Sequence, residues 1–180
     1  PGTGEILKGH GGPVKAVTWS PDGKRLASAG ESKNIFLWGF GWLGASQKGK
    51  IRAHAEIVTG LSYAPDGKHL AAAGHDKSIV LWDPGDPKEI SSLSLLGHTD
   101  HVRAVRYLKD GSLLSVSLAG QVILWDPLAA TQVSEFQLSD RIASAVAISA
   151  DGKRVVTAMT DGRIAVYDIS RVPAGATIGD

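Results

Sequence analysis

The side chains of this chain that could do chemistry are six histidines, 18 carboxylates and a scatter of serines and threonines. Three of the histidines, His10, His54 and His98, stand 44 residues apart. A catalytic or structural zinc needs three or four ligands gathered on one ion. Equal spacing over so long an interval instead puts each histidine at the same position of successive copies of a unit, too far apart to share a metal. His98 and His101 form an H-x-x-H pair, but they lead into a β-rich run rather than share one helix face, so the zinc pattern of helical proteases is not met. His69 and His75 read as solvated. No metal site is expected.

Nucleophilic and acid–base chemistry finds little support either. The chain has no cysteine and no G-x-S-x-G elbow. Asp22, Asp66, Asp110 and Asp151 all stand before a glycine in equivalent turns, which explains them without catalysis. Gly39 to Gly44 (G-F-G-W-L-G) matches G-x-G-x-x-G, but a dinucleotide site needs a helix after it. The residues that follow, Q-K-G-K-I-R, are strand-like. The expectation is therefore no catalytic residue, no cofactor and no enzyme activity. Phe40, Trp42 and Leu43 in that stretch are either folded back on a sheet edge or an exposed apolar contact for a partner.

The bulk composition narrows the classes further. With 180 residues, 43% hydrophobic, the chain can bury a substantial core. Nineteen basic side chains against 18 acidic ones, without a basic stripe, argue against a nucleic-acid partner. No apolar run reaches the roughly 18 residues that span a bilayer, so no membrane partner is expected. Localisation is left open, with the cytoplasm favoured.

What must position these residues is a repeated unit. Its clearest copy runs from His54 to Asp83, with others at 10–39, 98–126 and, more worn, 139–168. A fixed period of this size marks a repeat architecture. Within each copy, short β-rich runs such as Val14 to Ser20, Leu26 to Gly30 and Asn34 to Trp38 alternate with P-D-G-type turns, which predicts an all-β fold. Gln47 to Arg52 supplies a fourth strand, and no segment keeps a helical period. Residues 3–8 form a further strand candidate, residues 39–46 a connector, and residues 170–180 a tail that supplies no fourth strand to the last repeat.

The repeat resembles the WD40 β-propeller family. The resemblance rests on Gly9-His10 and Gly97-His98, the P-D-G turns at 21–23 and 65–67, and Trp82-Asp83 and Trp125-Asp126 at repeated spacing. It implies a propeller of four-stranded antiparallel blades, four repeats per chain, as one propeller or half-propeller domain over 1–180. The repeats fall at about 7–52, 53–96, 97–138 and 139–169. Each copy would supply the outer strand of one blade and the three inner strands of the next, with residues 3–8 closing the last blade.

The resemblance also implies a His–Ser/Thr–Asp–Trp hydrogen-bond network inside each blade. Here it maps onto His10, Ser28 and Trp38; His54, Asp76 and Trp82; His98, Ser115 and Trp125; and Thr157 and Asp161. No copy is complete. Ser32 stands for Asp in the first, Ala72 for Ser in the second, Ala119 for Asp in the third, and Ser139 and Tyr167 for His and Trp in the fourth.

In such a family the loops at one end of the blades are the usual binding surface. Here that face would carry Lys15, Lys33, Glu56, Lys77, His101, Arg103 and Arg141. Arg106 stands in an innermost strand where the other copies have Thr18, Ser62 and Ala147, which points it at the central channel. The favoured function is a non-catalytic scaffold that binds protein or peptide, assembling as a homodimeric, eight-bladed ring. The alternatives are a small-molecule or substrate-binding propeller that uses the channel, and a structural module of a longer propeller protein.

Overall fold

A computed structural model describes residues 4–42, 44–85, 93–138, 145–159, 161–171 and 177–178. All regular structure among them is β. The first sheet takes β1 (Val14–Trp19), β2 (Arg25–Gly30), β3 (Asn34–Gly41) and β4 (Gly44–Arg52) in that order. The second repeats the meander with β5 (Val58–Tyr63), β6 (Leu70–Gly74), β7 (Ile79–Trp82) and β8 (Leu93–Leu95). The third holds β9 (Val102–Tyr107), β10 (Leu113–Ser117), β11 (Gln121–Asp126) and β12 (Thr131–Leu138). The fourth holds β13 (Ala145–Ile148), β14 (Arg154–Ala158) and β15 (Ile164–Asp168). A last short strand, β16 (Thr177–Ile178), runs parallel to β12.

Local chemistry explains the meander. Each first hairpin closes on an Asp-Gly turn whose glycine has a left-handed backbone: Gly23, Gly67, Gly111 and Gly152 have φ of 68°, 70°, 89° and 68°. At the first, Gly23 N donates to Ser20 O at 2.9 Å, and Asp22 accepts from Lys24 N at 3.1 Å. The aspartates are therefore turn formers, as their spacing predicted.

The apolar residues form three successive cores, one at each joint between neighbouring sheets. In the first, Ala27, Ala29, Ile35 and Leu37 meet Leu61 and Tyr63 of the next sheet. In the second, Ala71, Ala73, Ile79 and Leu81 meet Val105 and Tyr107. In the third, Leu114, Val116 and Val122 meet Ile148. Hydrogen bonds pin the joints as well. Tyr107 N donates to Ser62 Oγ at 2.9 Å, and Thr59 Oγ1 donates to Val102 O at 2.5 Å. Among the described residues no neighbouring sheet covers the two end faces. Val17 and Trp19 at the start are 63% and 53% exposed, and Ile164 and Val166 at the end are 70% and 63% exposed.

Three features differ from the sequence reading. The stretch expected as a connector is largely strand: β3 runs on to Gly41 and β4 begins at Gly44, with Phe40 opposite Ala45 and Gly41 opposite Gly44. Glycine there permits the tight reversal, Gly44 having φ 101°. Residues 4–10 form no strand, and Glu5 lies on the first sheet, accepting from Ala45 N at 2.9 Å. In an array whose end faces are bare, this segment reaches the rim of its own sheet rather than the last one. Finally, the tail gives the fourth sheet no fourth strand among the described residues, as expected, but its β16 joins the third sheet, which the sequence did not signal.

Candidate functional site

The tight turns between second and third strands lie at the end of the sheets opposite the Asp-Gly turns, because each strand reverses direction. Each needs one left-handed residue. The third and fourth sheets supply Gly120 and Gly162, with φ of 83° and 89°. The first two use Lys33 and Lys77, with φ of 62° and 68°. A lysine in that conformation costs on the order of 1 kcal/mol relative to glycine, so two strained cations are held on this face where glycine would fold more easily.

Around them the predicted residues assemble in part. Lys15 Nζ pairs with Glu31 at 3.1 Å, and Lys33 Nζ reaches across the joint to Glu56 at 3.4 Å. Both pairs are exposed and contribute little to stability. Lys77 is exposed nearby. Lys15, Glu31, Ile57, Thr59, His75 and Arg103 line a concavity of about 500 Å³ that β13 also borders through Ala145 and Val146. Its walls thus come from the innermost strands of all four sheets, β1, β5, β9 and β13. Beside it, the rings of His75 and His101 stack at 4.4 Å with their planes 12° apart. Burial holds the His75 pKa below its usual value, and the positive charges of His101 and Arg103 push the same way. Glu56 and Asp100 pull the other way but more weakly, so the shift favours the neutral imidazole.

The other sequence candidates fall outside this concavity. Arg106 is exposed on β9 and is not among the lining residues. Arg141 and Leu43 lie outside the described residues. Phe40 is partly exposed against Trp19, ring centroids 4.8 Å apart, while Trp42 is 93% exposed at the hairpin tip.

The intra-sheet networks are present in altered form. Ser28 Oγ lies 2.7 Å from His10 Nε2 and accepts from Trp38 Nε1 at 2.7 Å. Ser32 Oγ, standing for aspartate, is 3.3 Å from His10 Nδ1. In the third sheet, Ser115 Oγ lies 2.6 Å from His98 Nε2 and accepts from Trp125 Nε1 at 2.8 Å. There the missing acid is replaced two residues on. Gln121 Oε1, rather than any atom of Ala119, faces His98 Nδ1 at 3.1 Å and accepts from Thr99 N at 3.0 Å. Burial drives the His98 pKa down to about 4, against a smaller upward pull from Gln121 and Glu135.

In the second sheet His54 Nδ1 meets Asp76 at 2.9 Å, but Nε2 faces Ala72 O at 3.0 Å for want of a hydroxyl. Among the described residues the buried Trp82 Nε1 and Thr157 Oγ1 have no partner. Burial raises the Asp76 pKa, but the His54 charge and its hydrogen bonds from Ser78 and His54 outweigh this and leave it lowered. Asp161 serves its own turn, accepting from Arg163 N at 3.0 Å and pairing with Arg163 Nε at 2.7 Å.

Two contributors escaped the sequence reading. Gln121 sits on a strand, not in the turn where an acid is sought. His75 gains its meaning only from His101 of the neighbouring repeat, a contact that no single repeat encodes.

Comparison with known proteins agrees with this architecture. A stretch of 33 residues, 18% of this chain, is 48% identical to the 66 kDa stress protein of Physarum polycephalum and spans 6% of that protein's length. The family described as WD domain, G-beta repeat (WD40) matches four times, at 3–39, 45–83, 89–126 and 131–168. The last three matches each start within a few residues of the first residue of one sheet's outer strand and end at or one residue past the third strand of the next. That phase, kept through matches covering most of the chain, makes this protein a member of the WD40 repeat family.

Proposed function

We propose that this chain holds a protein or peptide partner on its strained loop face, with one partner side chain entering the concavity at the mouth of the central space. WD40 repeat proteins are generally non-catalytic interaction scaffolds. The observation that carries the proposal is that this concavity draws on the innermost strands of all four sheets. Charged side chains lie on the same face, in the Lys15–Glu31 and Lys33–Glu56 pairs and in the exposed Lys77. Among the described residues the lining of the concavity offers no nucleophile–base pair: Thr59 Oγ1 is bonded to the backbone carbonyls of Val102 and Ala73. This favours a docking surface over an active site. A concave polar site also suits a small ligand, and that ligand would compete with the peptide.

The test is binding of peptides selected on the intact chain from a displayed library. Joint charge reversal, Lys15→Glu with Arg103→Glu, should weaken them tenfold or more. Unchanged affinity would refute the placement. Competition by a small molecule without any peptide selection would favour the channel-ligand reading.

A second reading rests on the bare end faces. Val17 and Trp19 occupy the positions of Leu61 and Tyr63, and Ile164 and Val166 those of Ile35 and Leu37, which bury one another at the first joint. A second copy, joined head to tail at both ends, closes an eight-bladed ring by repeating that joint. Light scattering should report twice the 18.8 kDa chain mass, falling to a monomer with Trp19→Glu. A cooperatively melting wild-type monomer would overturn this reading.

A further inference from the structure

The three joints follow one plan but are finished differently at the Asp-Gly turn end, opposite the loop face. At the first joint Arg25 crosses from one sheet to the next. Its Nη2 donates to Gly67 O at 3.1 Å, and its guanidinium carbon sits 5.9 Å from the centre of the Tyr63 ring. A Cβ placed on Gly67 would meet Pro21 at 3.7 Å and Arg25 at 3.8 Å, so this turn is covered. At the third joint Leu108 covers Gly152, coming within 2.6 Å of such a Cβ. At the second joint the equivalent glycine, Gly111, has nothing within 4 Å among the described residues.

The cause is a substitution at one repeat position. Arg25 and His69 are equivalent: each carbonyl accepts the same turn hydrogen bond, from Ser20 N and from Ala64 N, both at 2.8 Å. Imidazole is too short to cross to the next sheet as the arginine does. A groove of about 580 Å³ is left, lined by His69, Tyr107 and Gly111 among others. Tyr107 and Gly111 are the counterparts of Tyr63 and Gly67, the two groups that receive Arg25. Leu81 and Leu128 add apolar surface that suits the methylene stem of a long side chain.

The charges around the groove fit the same occupant. Asp66, Asp83 and Asp110 line it against Lys109 and His69. The Tyr107 hydroxyl, pushed up to about 12 by burial and by the Asp66 charge, stays neutral and leaves the ring as an uncharged stacking face. A flat cation with several donors can stack on that ring, bond a turn carbonyl and face carboxylates at once; a lysine ammonium cannot do all three.

We propose that the groove at the second joint binds an arginine side chain of a partner protein, reproducing in trans what Arg25 does within the chain at the first joint. The site is separate from the loop face and does not depend on the function proposed there.

The experiment titrates the intact, isotopically labelled chain with acetyl-Ala-Arg-Ala-amide and its lysine and citrulline counterparts, reading the Gly111 amide and the Trp82 indole by NMR. One side chain on one groove should bind in the millimolar range, about 1 mM. The arginine peptide should give saturating shifts at Gly111, the lysine peptide several-fold weaker ones, and citrulline none. His69→Arg, which copies the residue of the first joint, should fill the groove and reduce binding tenfold or more. The unchanged remainder of its spectrum would show that the fold is intact. Asp66→Asn with Asp110→Asn should weaken the arginine peptide several-fold without filling the groove. The proposal is overturned by equal binding of citrulline, by undiminished binding to His69→Arg, or by the absence of shifts at Gly111 up to about 10 mM peptide, where a 1 mM site would be nearly full.

Discussion

Replacing Ala72 by serine should stabilise the protein. In the first and third sheets one serine hydroxyl serves two ring nitrogens, at 2.7 and 2.7 Å from Ser28 and at 2.6 and 2.8 Å from Ser115. The second sheet keeps the same histidine and tryptophan but has a fully buried alanine between them. Trp82 Nε1 is left without a partner among the described residues. An unsatisfied buried donor costs about 1–3 kcal/mol. A serine added at Ala72 returns most of that, less the desolvation of its own hydroxyl, for a net gain of about 1 kcal/mol. In a chain of this length that raises the melting temperature by about 2–4 °C. Denaturant unfolding followed by tryptophan fluorescence measures it, as a higher midpoint at constant slope. The decisive control is the same change in a Trp82→Phe background, where no N–H remains. If the orphaned indole is the cause, the gain vanishes there, a coupling of about 1 kcal/mol. A gain that survives Trp82→Phe, or an Ala72→Ser protein less stable than wild type, would refute the reasoning.

Removing the shared hydroxyl where it exists should do the opposite. Ser115→Ala strands Trp125 Nε1 in a fully buried site and leaves His98 Nε2 at best the backbone carbonyl that His54 uses at Ala72, and should cost about 1–3 kcal/mol in the same unfolding measurement. Lys77→Gly relieves a left-handed lysine at φ 68°; calorimetry should show a gain of about 0.5–1 kcal/mol, while peptide binding on the loop face weakens. Acid should destabilise the fold through His98. Its folded pKa is about 4, against 6.5 for the free side chain. Between those values the unfolded chain binds a proton that the folded chain does not, so stability is full above about pH 6.5 and falls as the pH drops towards 4. The loss approaches about 3 kcal/mol for the whole shift. An NMR titration in which the His98 ring stays neutral down to pH 5 supports this, and one in which it protonates near 6.5 refutes it.

The strands were legible because every repeat writes them the same way: short β-rich runs, then an Asp-Gly turn, at a constant period. The polar networks were legible by position but not by substitute. Gln121 replaces an aspartate from two residues further on, because a side chain on β11 and one in the preceding turn can both reach His98 Nδ1. The hairpin at 39–44 was hidden because three glycines normally break a strand, yet here they continue one. Of the residues expected on the loop face, Lys33 and Lys77 fall in turns while Lys15 and Arg103 lie on β1 and β9, and their convergence was not readable. The His75–His101 stack and the Lys33–Glu56 pair each join two repeats, and a repeat pattern describes one unit, not the joint between two.

That distinction governs where this chain can acquire function. Inside a sheet, a lost network member is compensated locally, by Gln121, by Ser32 or by the Ala72 carbonyl, and the fold persists. At a joint, an exchanged residue changes what two sheets leave between them. Arg25 seals the first joint, Leu108 the third, and His69 leaves the second open. Likewise Lys33 and Lys77 keep charge on turns where Gly120 and Gly162 show that glycine suffices. On the functions proposed above, the repeat carries stability, and the departures from it at the joints and turn tips carry specificity. Binding should accordingly respond to His69, Lys77 and Arg103, while stability responds to Ser28, Ala72 and Ser115. A loop-face or groove variant that abolished binding only by unfolding the chain would contradict this division.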